Sequence, residues 1–329
     1  MLQQTRVDTV IPYYNRFIDA FPTVYELSEA NQQNVLKLWE GLGYYSRARN
    51  LHQAAKTIVK DFNGELPDAY PEITSLKGIG PYTAAAVLSI AFNKKYAVVD
   101  GNVIRVLTRF YGITEDIRSS STKNRVQQLA DDLIPESEPG NFNQAVMELG
   151  ATVCKPTSPL CTKCPLSAQC IANQTVQTDT IPYKSPAKKI PHHTIAVGLI
   201  VNKQGELLIA LRPNDAMLGG LWEFPGGKKK KKESIKETVK RELNEELDIT
   251  VRVHSRFNIL KHAYSHFKIT LHAYWCSISH GAPSAKSSQE IKWVALNEID
   301  QYPFPKANKT LVNGLQNMSH YELIKKVES

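Results

Sequence analysis

Four cysteines fall within seventeen residues, Cys154, Cys161, Cys164 and Cys170, spaced C-x6-C-x2-C-x5-C; the chain holds one other, Cys276. Thiolates this close in sequence can converge on one soft metal centre. A disulfide framework suits a small secreted domain, whereas this chain has 329 residues and no apolar leader. A structural zinc site usually shows two short-spaced pairs, and here one C-x2-C pair has a longer arm on each side. The pattern leaves zinc and an iron–sulfur cluster both open, with ordinary buried cysteines third. Pro156, Pro159 and Pro165 favour a compact loop there over a helix interior.

A second motif is Leu76-Lys77-Gly78-Ile79-Gly80-Pro81-Tyr82-Thr83-Ala84. Gly78 and Gly80 allow a tight turn, and Pro81 suits the first turn of a following helix. Backbone N–H groups at such a start can hold a phosphate oxygen; the plainer reading is an ordinary helix–turn–helix connection. Further on comes Val98-Val99-Asp100-Gly101-Asn102-Val103. Asp100 stands at the mouth of an apolar helix, as an electrostatic or nucleophilic carboxylate or as a plain N-cap.

These groups need a frame. A chain of 329 residues, 42% hydrophobic, reads as two domains with real cores. No apolar run approaches the length needed to span a membrane. The net charge of +8 suits a polyanionic partner, and intact thiols suit a reducing cytoplasm. Residues up to about 175 read as helical: an apolar pattern from Asn34 to Phe62 broken at Gly41 and Gly43, then runs over Thr83–Phe92 and Val103–Tyr111. Prolines and lysines then interrupt any periodicity, so 173–192 reads as a linker. Beyond it, Thr194–Val201 and Glu206–Leu211 read as strands joined by an Asn202-Lys203-Gln204-Gly205 turn, Glu233–Leu247 as a charged helix, and Phe267–Cys276 and Ile291–Ala295 as strands. The expectation is an all-α domain followed by a mixed α+β domain.

The hairpin, the Asp-Gly-Asn-Val motif and the cysteine quartet, in this order, resemble the helix–hairpin–helix DNA glycosylases of the endonuclease III superfamily. Met1-Leu2-Gln3-Gln4-Thr5, Gly41-Leu42-Gly43-Tyr44-Tyr45 and a second domain after the cysteines make the chain most similar to the MutY family. The resemblance implies a glycosylase domain over 1–172 with a [4Fe–4S] loop at 154–170, the linker, and a Nudix-like α/β/α sandwich over 193–329 that recognises 8-oxoguanine. It implies a DNA-repair enzyme that removes adenine opposite 8-oxoguanine or guanine in duplex DNA, acting as a monomer in the cytoplasm at the nucleoid. The adenine is flipped out and protonated, and an aspartate, matched here by Asp100, stabilises the oxocarbenium-like sugar. Lyase relatives carry a Schiff-base lysine after the hairpin; Tyr82 takes that place, which implies a monofunctional enzyme.

The family's base-protonating glutamate lies two residues before the methionine of the Met-Leu-Gln-Gln-Thr segment. This chain starts at that methionine, so weak lesion binding with little or no excision is expected, and Glu40 and Glu148 qualify only as carboxylates. Gln4, Thr5, Leu42 and Tyr44 match lesion-pair contacts, Gly78 and Gly80 the DNA hairpin, and Arg47, Arg49 and Lys77 phosphate contacts. Tyr264-Ser265-His266 resembles the family's Phe-Ser-His loop, so Ser265 and His266 are expected to face 8-oxoguanine. From Gly227 the chain reads G-x5-E-x7-R-E-L-x-E-E, the Nudix box, with Asp248 where glycine belongs, which argues against a left-handed residue there. Glu242, Glu245 and Glu246 share one helix face and suit Mg2+, and Lys228 to Lys232 suit phosphates or offset those carboxylates. Two other functions follow: a Mg2+-dependent hydrolase of an oxidised nucleotide, and a non-catalytic lesion-DNA-binding protein.

Overall fold

A computed structural model describes residues 1–3, 5–186, 190–264 and 266–328. The first helices are α1 (Val7–Ala20), α2 (Val24–Glu29), α3 (Gln32–Leu38), α4 (Ser46–Asp61) and α5 (Tyr70–Ser75). There follow α6 (Pro81–Phe92), α7 (Gly101–Phe110), α8 (Ser120–Leu133), α9 (Pro139–Glu148) and α10 (Ile171–Gln174). Strands β1 (His192–Ile200), β2 (Leu207–Leu211), β3 (Trp222–Glu223) and β4 (Gly226–Lys228) precede α11 (Ile235–Leu247). The chain closes with β5 (Thr250–Ala263), β6 (Lys268–His280), β7 (Glu290–Val294), α12 (Lys306–Leu315) and α13 (His320–Glu328).

The chain gathers into two compact units. One unit is Thr57–Lys188; the other joins Met1–Lys56 to Lys189–Ser329. In the first, α6 and α7 pack on α9. A Cβ at Gly140 would come 2.6 Å from the Ser89 carbonyl oxygen, so α9 approaches α6 at backbone distance. Buried Asn143 accepts from the Val98 N–H (3.0 Å) and donates to Ser89 Oγ and the Tyr96 carbonyl (2.9 Å each). These bonds satisfy the polar backbone of the extended segment that leads into Asp100. The stretch read as a linker is tied down at its start: the Ile117 N–H donates to the Tyr183 carbonyl, Arg118 Nη1 to that of Pro186, and Ile181 is buried.

The other unit has two mixed or antiparallel sheets, ordered β4-β1-β6-β5 and β3-β2-β7, with β1 parallel to β6. Alternation in β6 turns Ile269, Leu271, Ala273 and Trp275 inward, onto Leu207 and Ile209 of β2 and Leu311 and Leu315 of α12. On the other side α11 buries Val239, Leu243 and Leu247. The expected hairpin differs in one respect. Its two strands enter different sheets and meet only at a Val201–Leu207 bridge, with Gly205 at φ +71° in the turn. A third cluster gathers Phe17, Val35, Leu36, Trp39, Leu42 and Tyr45 around Leu221 from the C-terminal chain.

Candidate functional site

In the unit 57–188, α5 ends at Ser75 and the turn to α6 places Gly78 at φ +85°, a conformation glycine adopts without a Cβ clash. Gly80 differs: its φ is −92°, and an added Cβ would meet no atom within 4 Å. Neither backbone nor packing demands glycine there, and the N-terminus of α6 carries no side-chain cap. Asp100 is the N-cap of α7. Its Oδ1 accepts from the Asn102 N–H (2.8 Å) and Val103 N–H (2.7 Å), and its Oδ2 from Asn102 Nδ2 (2.9 Å). The capping role and a charge-stabilising role are thus held by one half-buried carboxylate, locked in orientation. Tyr82 is 42% exposed, and burial together with the nearby Asp100 charge raises its phenol above the usual range. The hairpin tyrosine and the helix-capping aspartate therefore share one locality.

Cys154, Cys161, Cys164 and Cys170 line one pocket with Arg109 and Leu160. The loop between them holds a single 3-10 turn at Cys161–Lys163, in keeping with its prolines. Burial, and then the neighbouring cysteines, push the Cys161 thiol up. Among the described residues, no three His, Cys, Asp or Glu side chains are drawn close enough to hold one metal ion. Two buried or half-buried arginines of α7 hold this loop. Arg105 Nε donates to the Cys154 carbonyl (2.7 Å) and its Nη2 to that of Gly150 (2.6 Å). Arg109 is 2% exposed and donates to the Lys155, Pro156, Thr178 and Ile181 carbonyls, with Nη1 3.3 Å from Cys154 Sγ. Neither arginine is singled out by any sequence motif; the i, i+4 spacing on an apolar helix was the available signal.

In the other unit, the Gly41–Tyr44 turn has left-handed backbone at Gly41 (φ +97°), Gly43 (φ +77°) and Tyr44 (φ +48°). Tyr44 is exposed, but Leu42 is 6% exposed within the Trp39 cluster. In this structure the apolar side chain of Leu42 packs against the protein. The two arginines expected on phosphates are also engaged internally. Arg47 donates to the Met1, Gln3 and Gly43 carbonyls and to Thr5 Oγ1 and lies over the Trp39 and Tyr44 rings, whereas Arg49 donates to the Gly219 carbonyl. Thr5 therefore sits beside Tyr44 through one shared guanidinium. Lys77 is exposed. Gln4 and Ser265 lie outside the described residues. His266 is exposed between β5 and β6, where the Tyr264 N–H donates to the Phe267 carbonyl and the two rings stack at 4.7 Å.

The Nudix box departs from the metal-site expectation. Arg241 pairs with Glu233 (2.5 Å), Glu242 (2.8 Å) and Glu245 (2.9 Å), and the Glu242 carboxylate fills the space a Cβ at Gly227 would need. Glu246 accepts from the Gly226 N–H (3.0 Å). With these engagements, Glu242, Glu245 and Glu246 form no Mg2+ group among the described residues. The charge offset expected of the lysine run is supplied by Arg241; Lys230 adds one exposed contact to Glu245 at 3.3 Å. Asp248 adopts the left-handed C-cap itself at φ +60°, ψ +36°, so its identity did not prevent the turn.

Burial, then the charge of Glu223, push Glu246 up to about 8, while Arg212 and the Gly226 N–H pull the other way. The folded state therefore holds a proton that the unfolded chain releases near pH 4.5. Stability is present below that pH and falls as pH rises toward about 8. Glu246→Gln is expected to remove this slope and to stabilise the protein above pH 8 by on the order of 2 kcal/mol. Thermal unfolding from pH 5 to 9 checks it; parallel profiles for parent and variant contradict it.

A family profile described as HhH-GPD superfamily base excision DNA repair protein matches residues 1–136, and one described as NUDIX domain matches 196–314. The adenine DNA glycosylase of Rattus norvegicus is 33% identical over 348 residues, covering 91% of this chain and 67% of the rat protein. That of Homo sapiens is 32% identical over 91% of this chain and 63% of its own length. That of Buchnera aphidicola subsp. Acyrthosiphon pisum is 31% identical over 97% of this chain and 89% of its own length. The chain thus spans about two thirds of the mammalian proteins and most of the bacterial one.

Proposed function

The chain belongs to the adenine DNA glycosylase family, and on that footing we propose that it binds duplex DNA carrying adenine opposite 8-oxoguanine or guanine and hydrolyses the adenine N-glycosidic bond without a lyase step. The observation that carries this reading is the Asp100 carboxylate, fixed by three N–H donors beside Tyr82 at the end of the hairpin turn. As the base departs, positive charge grows on the sugar; a carboxylate that needs no reorientation stabilises that charge as it forms. Tyr82 offers no amine for an imine, so water completes the reaction. Gly78 and Gly80 open the start of α6 to a phosphate, and Thr5, Tyr44 and His266 supply polar and aromatic contacts around the lesion pair. The four thiols spread around one pocket suit a [4Fe–4S] cluster, in which each iron takes one thiolate. Bound there, the cluster would hold the loop in shape; no bond-breaking is assigned to it. The protein acts as a monomer in a reducing compartment that contains the chromosome.

Binding to A:8-oxoguanine, A:G and A:T duplexes is expected to weaken in that order, and the base recovered under single-turnover conditions is expected to be adenine. Equal affinity for all three, or release of 8-oxoguanine, contradicts the reading. Iron and acid-labile sulfide, each expected at about four per chain, test the cluster; stoichiometric zinc rejects it.

A further inference from the structure

The segment Tyr302-Pro303-Phe304 lies far along the chain from the Gly41–Tyr44 turn, yet one of its residues bonds to both residues that flank the turn. The Phe304 N–H donates to Glu40 Oε1 (2.8 Å), just before the turn, and the Phe304 carbonyl accepts from the Tyr45 hydroxyl (3.5 Å), just after it. The same hydroxyl accepts from the Gly41 N–H (3.0 Å), so Tyr45 connects Phe304 to the first residue of the turn. Glu40 is held on its other oxygen by Lys37 (2.7 Å), whose ammonium also reaches the Tyr302 carbonyl (3.3 Å), and by Lys309 of α12 (3.7 Å).

Both sides of this clasp are stiff. Phe304 is fully buried and stacks on Phe224, and the Trp222 N–H donates to the Pro303 carbonyl (2.9 Å). Tyr45 is 5% exposed, and burial pushes its phenol up, so the hydroxyl keeps its proton to donate. Within the turn, Trp39 Nε1 and Arg47 Nη2 both donate to the Gly43 carbonyl (3.1 and 3.3 Å). A turn with three left-handed residues is costly to hold, because non-glycine Tyr44 is one of them. It persists where surrounding bonds over-determine it, and the Phe304 clasp supplies that at the base.

We propose that Glu40 and Tyr45 are positioning residues through which the C-terminal chain, by way of Phe304, sets the conformation of the lesion-reading turn. The inference rests on the proposed function for the word "lesion", but the clasp can be read without DNA. Removing the Tyr45 hydroxyl leaves the Gly41 N–H and the Phe304 carbonyl unpaired, and both fall at the base of the turn. A glutamine at position 40 keeps an oxygen for the Phe304 N–H; an alanine does not.

Tyr45→Phe and Glu40→Ala are expected to raise amide exchange over residues 41–44 at least about tenfold and to lower the A:8-oxoguanine over A:T affinity ratio about tenfold. Glu40→Gln should stay within about threefold of the parent on both readouts. Leu247→Ala, which opens the core under α11, is the stability control: it lowers the melting temperature while leaving the affinity ratio unchanged. Unchanged exchange in Tyr45→Phe and Glu40→Ala overturns the clasp. Faster exchange with an unchanged ratio overturns its role in reading the lesion. A parent protein that does not distinguish the duplexes contradicts the proposed function, and the exchange data alone then decide on the clasp.

Discussion

Asp100→Asn is expected to abolish the preference of the protein for a positively charged sugar. The probe is a duplex with a cationic pyrrolidine abasic analogue opposite 8-oxoguanine, compared with the neutral tetrahydrofuran analogue. The parent should bind the cationic site at least about tenfold more tightly, and the variant should bind the two equally, because a fixed carboxylate near a desolvated cation contributes well over 1 kcal/mol. Whatever adenine release the parent shows under single-turnover conditions should fall about 10²–10³-fold by the same loss. The substitution isolates charge from structure. Asparagine is about as good an N-cap as aspartate, and its oxygen can accept the Asn102 and Val103 N–H bonds that Asp100 Oδ1 accepts. Unfolding temperature should therefore barely move. Retained preference for the cationic duplex in Asp100→Asn removes Asp100 from the chemistry and leaves it a cap.

Residues that act through a local motif were legible before any fold was known. The cysteine quartet, the Gly78-Ile79-Gly80 turn, Asp100 before α7 and the Nudix box all carry their meaning in spacing, and the helices and strands that hold them follow from apolar period. What was not legible depends on partners distant in the chain. Arg109 reads as one more cation in a basic protein until its acceptors, 46 to 72 residues away, are known. Arg47 and Arg49 read as phosphate contacts for the same reason, yet Arg47 bonds to the Met1, Gln3 and Gly43 carbonyls and Arg49 to that of Gly219. The joining of 1–56 with the C-terminal chain was equally hidden. It depends on pairs such as Trp222 Nε1 to Gln33 Oε1 (3.0 Å) and Gln33 Nε2 to the Gly220 carbonyl (3.0 Å). A glutamine has no periodicity that announces a partner 189 residues on. At the Nudix box the reverse held: the motif was plain, but its carboxylates are claimed by Arg241 and the Gly226 amide, which spacing alone does not show.

Replacing Arg109 should have a large effect on the stability of the unit 57–188. Its guanidinium is buried, and its five N–H donors reach four carbonyls and one sulfur spread over the cysteine loop and the 178–181 segment. Arg109→Ala leaves those acceptors dry and unpaired and opens a cavity, for an expected loss of about 3–5 kcal/mol. Arg109→Lys is not conservative here. An ammonium is a point donor and cannot span acceptors on two segments, so a loss of about 2–3 kcal/mol is expected. The consequence reaches the candidate catalytic carboxylate, because Arg109 and Asp100 belong to the same helix, one inside it and one capping its start. A loosened cysteine loop also frees Arg105, four residues earlier, from the Cys154 and Gly150 carbonyls. Arg109→Lys should thus lower both the unfolding temperature and the iron retained per chain after dialysis, the second by at least about half. Loss of iron with no loss of thermal stability would place Arg109 in the cluster pocket alone; full stability and full iron in Arg109→Ala would mean that the four carbonyls find water, and that the helix carrying Asp100 is held by Arg105, Asn143 and the apolar core.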